Sequence, residues 1–432
     1  MTALTSPAPT STVAHLTQQL LRIDTTNPGR AERPAAELVA DHLAALSCAV
    51  QWFEPEPGRS SIVARIPGEH RELPALLLHA HLDVVPAIEK DWQRDPFGGE
   101  LVDGYLWGRG AVDMKGTVGI MVDTLTAMHH RGQKPNRDLV VAFFADEEAG
   151  GQVGAGHVTH ERPDLFADCA EAIGEVGGFS HTLSRDHRAY LVATAEKGVW
   201  WSRVVADGRA GHASMINPDN PVHHLVHALA GVASHAGQDH PTAATTAMLE
   251  RLRDVLDLPE ATTEELIDRL GPLKKMMLAG MRNTVNLTQL QAGYKTNVVP
   301  GTADATIDGR FLPGTEDSFR EEITRLAGSH VRLEQIYRGA AVESPLDSAL
   351  LDAIGSSLRA EDETAFVLPY ISTAFTDAKW LAPLGIDCYG FAPMLLPDDL
   401  DFTALFHGVD ERVPTGALDF GVRVFDRLLS TY

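Results

Sequence analysis

Short, continuously apolar runs alternate along this chain with segments in which apolar residues recur every three or four positions. Ser11 is placed to cap an amphipathic helix running to Ile23, and the NPG triplet at 27–29 breaks it. A second helix is expected over about 33–47. The runs SIVARI (61–66), ALLLH (75–79) and LVVAFF (139–144) are short, β-rich and bounded by turn residues, as strands covered on both faces are. The segment after Met114, KGTVGIMVDTLTAMHHRG, has helical spacing and stops at Gly132, so it is expected to pack on that sheet. Strands alternating with helices predict an α/β domain.

The pattern changes near residue 197. VWWSRVVADG reads as an alternating, half-buried strand, followed by a helix at about 220–235 and a charged helical stretch at about 261–281. Strands are expected at about 283–292 and 302–311, a helix at about 315–327 and a strand at 331–337. The remainder, from about 339, returns to helix and strand alternation. The expected architecture is a mixed-sheet α/β domain, residues 1–196 and 339–432, interrupted by a smaller α+β unit at 197–338.

Charge narrows the functions open to such a chain. With 36 Lys and Arg against 59 Asp and Glu, the formal charge is −23, and the longest basic cluster is the pair Lys274, Lys275. Nucleic-acid binding needs a basic stripe, so it is excluded here, as is an anionic membrane surface. No window of about 18 uninterrupted apolar residues offers a transmembrane helix. MTALTSPAPT, residues 1–10, has neither the basic nor the apolar region of a secretory signal. Cys48, Cys169 and Cys388 are too few and too widely spaced for a disulfide framework or a metal knuckle. A reducing cytoplasm suits them.

Four segments gather Asp, Glu and His beside glycine at the ends of predicted strands, where open α/β sheets place their ligands. In LLLHAHLDVVP (76–86), His79, His81 and Asp83 share a strand face. Periodicity does not rank His79 against His81, and a buried histidine satisfied by backbone is the competing reading. LWGRGAVDMKG (106–116) delivers Asp113 to the start of a helix without the spacing of a phosphate loop; a helix cap is the plainer alternative. FFADEEAGG (143–151) crowds Asp146, Glu147 and Glu148 after a strand, as either a solvated turn or a cation site does. Glu175 follows a short apolar run in AIGEVGGF, and His407 stands far downstream in LFHGVDERVP. Together they form a mixed nitrogen and oxygen donor set, which suits zinc and equally cobalt or manganese.

These motifs, with WxxDPFGG (92–99), GHAS (211–214), NVVP (297–300) and DGRFLPG (308–314), occur in an order that resembles the zinc-dependent carboxypeptidase and aminoacylase family. That family includes glutamate carboxypeptidase, acetylornithine deacetylase, succinyl-diaminopimelate desuccinylase and carboxypeptidase S. The resemblance spans nearly the whole chain. It implies that Asp113 bridges two divalent ions, with His81 and Glu175 completing one site and Glu148 and His407 the other. It further implies that Asp83 orients His81, that Glu147 is the general base, and that the Asp113–Met114 peptide is cis. Ala80 and Val176 depart from the family pattern, in which glycine is usual or common at both places.

The resemblance makes 197–338 a lid or dimerisation domain on a catalytic domain, with closure completing the site. His212 is implied as an oxyanion donor, from its own or a neighbouring subunit, and Arg310 and Asn297 as groups that grip a substrate carboxylate. A capping role for His212 and an Arg310–Asp308 pair are the blander readings. The implied reaction is amide hydrolysis by a metal-activated water, on a C-terminal peptide bond or, alternatively, an N-acyl amino acid, each with a free carboxylate. A silent metal- or peptide-binding protein and a dimetal phosphoesterase are the other readings weighed. The long stretch at 236–296 is closer to the carboxypeptidase S branch, and leaves open whether it replaces a homodimer partner. The roles of Glu411, Thr376, Asp377 and Gly390 stay open.

Overall fold

The computed structural model describes residues 11–432, so the expected absence of a signal at 1–10 lies outside the described residues. Its larger sheet runs, edge to edge, through Val50–Phe53, Ser61–Ile66, Leu139–Phe144, Ala75–His81, Cys169–Gly174, Asp387–Gly390, His187–Glu196 and Val342–Glu343. Ala365–Ser372 and Ser180–Ser184 also pair with His187–Glu196. The central four strands, from Leu139–Phe144 to Asp387–Gly390, are mutually parallel. Ala75–His81 and Leu139–Phe144 are buried throughout, which explains why their sequences are continuously apolar rather than alternating.

Successive residues of these strands serve two cores. Leu139, Val141 and Phe143 join the core beneath helices Thr12–Leu21, Arg33–Ala45, Lys115–His130 and Thr415–Thr431, while Val140, Ala142 and Phe144 join one beneath Ala155–Glu161 and Ala378–Leu381. Each such side chain contributes roughly 1.5–3 kcal/mol when fully buried. The first helix starts as its cap dictates: Ser11 is extended and its hydroxyl accepts the Ala14 N–H. The second ends at Ala45, two residues before its expected limit, because Ser47 turns left-handed with φ +62°.

A second, antiparallel sheet has the order Thr284–Ala292, Thr302–Phe311, Gly198–Asp207, Arg332–Gly339. Burial alternates along Thr302–Phe311, and helices Pro221–Ala233 and Glu316–Ala327 pack on one face through Trp200, Val204, Ile307, Phe319 and Ile323. The charged stretch at 261–281 is not one helix: Gly271 and Pro272 divide it into Thr263–Asp268, Gly271–Leu273 and Lys274–Ala279. With Ala243–Val255 these pieces leave the second sheet and pack on the larger one, adding Met248, Leu252, Leu266, Leu270 and Met277 to its core.

Among the described residues no helix is long and apolar enough to cross a membrane. All three cysteines are free.

Candidate metal centre

Three parallel strands deliver carboxylates or imidazoles from their carboxyl ends to one place. Strand Ala75–His81 ends on His81, Leu139–Phe144 is followed by the single turn Glu147–Ala149, and Cys169–Gly174 by Glu175. His81 is buried, and its Nδ1–H donates to the backbone carbonyl of Asp83 at 2.9 Å. That leaves Nε2 as the nitrogen free to ligate a cation, 2.9 Å from Asp113 Oδ1 and 3.3 Å from Glu175 Oε2. On the other side His407 Nε2 lies 3.2 Å from Asp113 Oδ2 and 3.1 Å from Glu148 Oε2.

Asp113 thus presents one oxygen to each histidine. The donor atoms of His81, Asp113 and Glu175, and those of Asp113, Glu148 and His407, lie within 4.8 Å of one another in each triad. Two triads of nitrogen and oxygen donors sharing one carboxylate fit a pair of divalent ions of the zinc, cobalt or manganese type. Glu147, adjacent in sequence, belongs to neither triad. Its Oε1 is buried without a hydrogen-bond partner, as is Oε1 of Glu148.

His79 and His81 part company here. His79 is packed against Phe144 and over Gly174, where an added Cβ would meet its ring at 2.3 Å. Burial, then the charges of His81 and Lys379, push its pKa down to about 3, so it stays neutral and apolar in effect. Asp83 does more than face the imidazole. Its carboxylate lies 3.5 Å from His81 Nδ1 but accepts the backbone N–H groups of Glu147 and Glu148, both at 3.1 Å, and the Asn27 amide at 2.8 Å. Asp83 therefore fixes the acidic turn as much as the imidazole, which its own main-chain carbonyl orients.

Crowded acids strain each other's ionisation. Burial, reinforced by the Asp113 charge, pushes Glu148 up to about 7. Burial likewise raises Glu147, against the Lys379 and His81 charges, and holds Glu175 well above the usual carboxylate range. Burial also opposes ionisation of Asp113, but hydrogen bonds from His407 and His81 outweigh it and keep this carboxyl charged. Divalent cations would offset the mutual repulsion of these groups.

The centre opens into a cleft of about 600 Å³ whose wall mixes Phe179, Phe406, Tyr370 and Phe375 with Trp201 and Arg310 from the second sheet. Arg310 pairs with Asp308 through two contacts of 2.6 and 3.0 Å, as its blander reading has it, while its guanidinium stays 5.3 Å from the Phe375 ring. His212 and Asn297 fall elsewhere. His212 is exposed on the small ribbon formed by Gly211–His212 and Val298–Val299, and Asn297 is exposed just before it, both outside the cleft wall. The Asp113–Met114 peptide is cis.

Two residues of unassigned role belong to the centre. Glu411 is fully buried and accepts the backbone N–H groups of Gly110, Val112 and Asp113 at 3.0, 2.7 and 3.0 Å. Lys379, buried on Ala378–Leu381, brings Nζ to 3.6 Å from Glu147 Oε1. The adjacency of Glu411 to the His407 motif was its one signal in the sequence; Lys379 had none beyond standing two residues after Asp377, whose own role was open.

A model of peptidase family M20/M25/M40 matches residues 77–431 of the chain. Aminoacylase-1 of Sus scrofa is 30% identical over 424 residues, covering 96% of this chain and 94% of that protein. A carboxypeptidase S-like protein of Dictyostelium discoideum is 28% identical, over 82% of this chain and 70% of its own. Among solved structures, an M20 family metallo-carboxypeptidase of Sulfolobus solfataricus superposes with a TM-score of 0.74 at 17% identity, over 97% of this chain and 99% of that one.

Proposed function

Because the chain belongs to peptidase family M20/M25/M40 and is a hydrolytic metalloenzyme, we propose that it cleaves an amide bond next to a free carboxylate, most readily a C-terminal peptide bond. One observation carries this reading: a carboxylate, Glu147, stands beside two donor triads that share Asp113 and belongs to neither. Bound divalent ions supply Lewis acidity, activating water and polarising a carbonyl. His81, Asp113 and Glu175 would hold one ion and Asp113, Glu148 and His407 the other, with zinc as the native metal. Glu147 takes a proton from the attacking water and returns it to the leaving amine, which requires a carboxylate that is near the ions and free of them.

Arg310 faces the cleft and grips the substrate carboxylate in exchange for, or in addition to, Asp308. The unit at 197–338 serves as lid to a catalytic domain formed by 1–196 and 339–432. His212 and Asn297 act from this lid on closure or across a homodimer. Pairing through the lid is supported by the exposed strand Thr284–Ala292, whose Leu287 and Leu290 face outward with Tyr294 beyond it. Three free cysteines suit a cytoplasmic site of action.

Hydrolysis of N-acyl amino acids is the second reading, favoured by the aromatic cleft and by the likeness to aminoacylase-1 over nearly the whole chain. Metal-free protein reloaded with zinc, cobalt or manganese and assayed on dipeptides, N-acyl amino acids and a phosphate ester separates the readings. Turnover of the phosphate ester alone would sink both amide readings.

A further inference from the structure

Beside Glu147, and outside both triads, lies a buried group of charges that the proposed reaction does not use. Lys379 is 6% exposed, and its Nζ donates to the Thr376 carbonyl at 3.0 Å and sits 4.3 Å above the Phe375 ring. An ammonium carries three N–H donors, and only this one finds a hydrogen-bond acceptor among the described residues. The unfilled acceptors are close by in the fold. Glu147 Oε1, 3.6 Å from Nζ, has no partner, nor has either carboxylate oxygen of Asp377, which is 1% exposed.

The surroundings keep this cation charged and fixed. Burial works against it, but Glu147, Asp377, Tyr337 and Glu196 outweigh burial and raise its pKa above that of an ordinary lysine. Glu196 is held in turn by the Thr376 N–H and hydroxyl at 3.0 and 2.7 Å. Gly151, the last residue of DEEAGG, leaves room for Asp377: a Cβ there would lie 2.6 Å from Oδ1, and φ is +71°. The turn bearing Glu147 and the segment bearing Lys379 are thus packed directly on each other.

We propose that Lys379 is a positioning residue for Glu147, its ammonium holding Oε1 so that the carboxylate faces the cleft instead of joining either ion. This rests on the assignment of Glu147 as the base. A small advance of Nζ from 3.6 Å converts the ion pair to a hydrogen bond and spends one of the two idle donors. Asp377 lies in the same buried group, but burial holds its carboxyl well above the usual carboxylate range, so Glu147 is the acceptor nearest the idle donors of Lys379.

Lys379→Met, Lys379→Arg, Glu147→Gln, Lys379→Met/Glu147→Gln and Lys379→Met/Asp377→Asn test it, with N-acetyl-L-phenylalanine and glycyl-L-phenylalanine as substrates. Lys379→Met should keep its metal content and KM while kcat falls about 100-fold, the loss typical of a misplaced reacting group. Lys379→Arg should recover part of that loss. In metal-free protein, the melting shifts of Lys379→Met and Glu147→Gln should not sum to that of Lys379→Met/Glu147→Gln, as expected for groups in contact. If Lys379→Met does not fold, Lys379→Met/Asp377→Asn, which removes the ammonium together with a buried carboxyl close to it in sequence, carries the kcat measurement. A kcat within about twofold of the parent in a variant lacking Lys379, beside an inactive Glu147→Gln, overturns the proposal and leaves the base in place. An active Glu147→Gln overturns the base assignment itself, and the role of Lys379 with it.

Discussion

The Glu411 carboxylate accepts the backbone N–H of Asp113 at 3.0 Å, and so fixes the one side chain shared by both triads. The same carboxylate meets Arg109 Nη1 at 2.6 Å, and Arg109 donates onward to the carbonyls of His407 and Gly408 at 3.3 and 2.9 Å. One buried ion pair therefore joins the loop of Asp113 to the loop of His407, which come from distant parts of the chain. Removing one partner strands the other charge in the interior, a loss of about 3–5 kcal/mol. Glu411→Ala is expected to be destabilised by that order in chemical denaturation and to lose metal on dialysis. Retention of both ions with normal stability would show that the Asp113 loop needs no such anchor.

Glu147→Gln should preserve the fold and both ions, since Glu147 is in neither triad, and should lower kcat by roughly 10²–10⁴, the usual worth of a general base. Elemental analysis and steady-state kinetics on the same preparation decide it. A variant that lost metal would return Glu147 to the ligand set.

Protons and metal ions compete for the same atoms. In metal-free protein, hydrogen bonds to Asp113 and Glu148 push the half-exposed His407 up to about 10, while burial and the Asp113 charge bring Glu148 to about 7. Both groups hold protons more tightly folded than unfolded, where their values are about 6.5 and 4.3. Stability from Glu148 is therefore complete below its unfolded pKa and lost as pH rises through about 7; that from His407 is lost as pH rises through about 10. Metal-free protein should melt progressively lower between pH 5 and 10 in this respect, and zinc addition near pH 7 should release protons. Calorimetry in two buffers of different ionisation enthalpy reads the release directly; identical heats after correction would contradict it.

Much of this candidate centre was legible because acidic residues and histidines at strand ends sit next to short apolar runs and glycine turns, and both leave local marks. The segments bearing His81, Asp113, Glu148 and Glu175 stood out in that way, whereas it was the resemblance to a known family that singled out these residues within them and tied His407 to them. What was not legible depends on contacts between distant segments. His79 and His81 obey the same period of two, and only the Gly174 backbone beneath one and Asp113 beside the other separate them. Val176, conspicuous where glycine is common, proves to hold φ +62°, and its carbonyl accepts the Tyr370 hydroxyl at 2.6 Å. The placing of 243–279 on the large sheet was hidden because an amphipathic helix declares an apolar face without naming what covers it.

Lys197 sits between strand His187–Glu196 of the large sheet and strand Gly198–Asp207 of the small one. Its Nζ donates to the carbonyls of Ala279 and Arg282 at 3.1 and 2.7 Å and to the Thr284 hydroxyl at 3.0 Å, so it ties two crossings between the sheets into one joint. Burial, helped by the Arg310 charge, lowers its pKa to about 7. Folded protein then binds fewer protons here than unfolded protein between about pH 7 and the ordinary lysine value near 10.4, so this residue adds stability as pH rises through that window. Lys197→Met leaves the carbonyls of Ala279 and Arg282 without this donor, at a cost of about 1–3 kcal/mol each where they are buried. The variant should melt lower at pH 7 and fall further behind the parent at pH 9, where the parent has gained and the variant has not. It should also raise KM more than it lowers kcat, because the joint sets how Arg310 and Trp201 meet the cleft. A gap that narrowed with rising pH would show that Lys197 stays charged and serves the joint only as an ion.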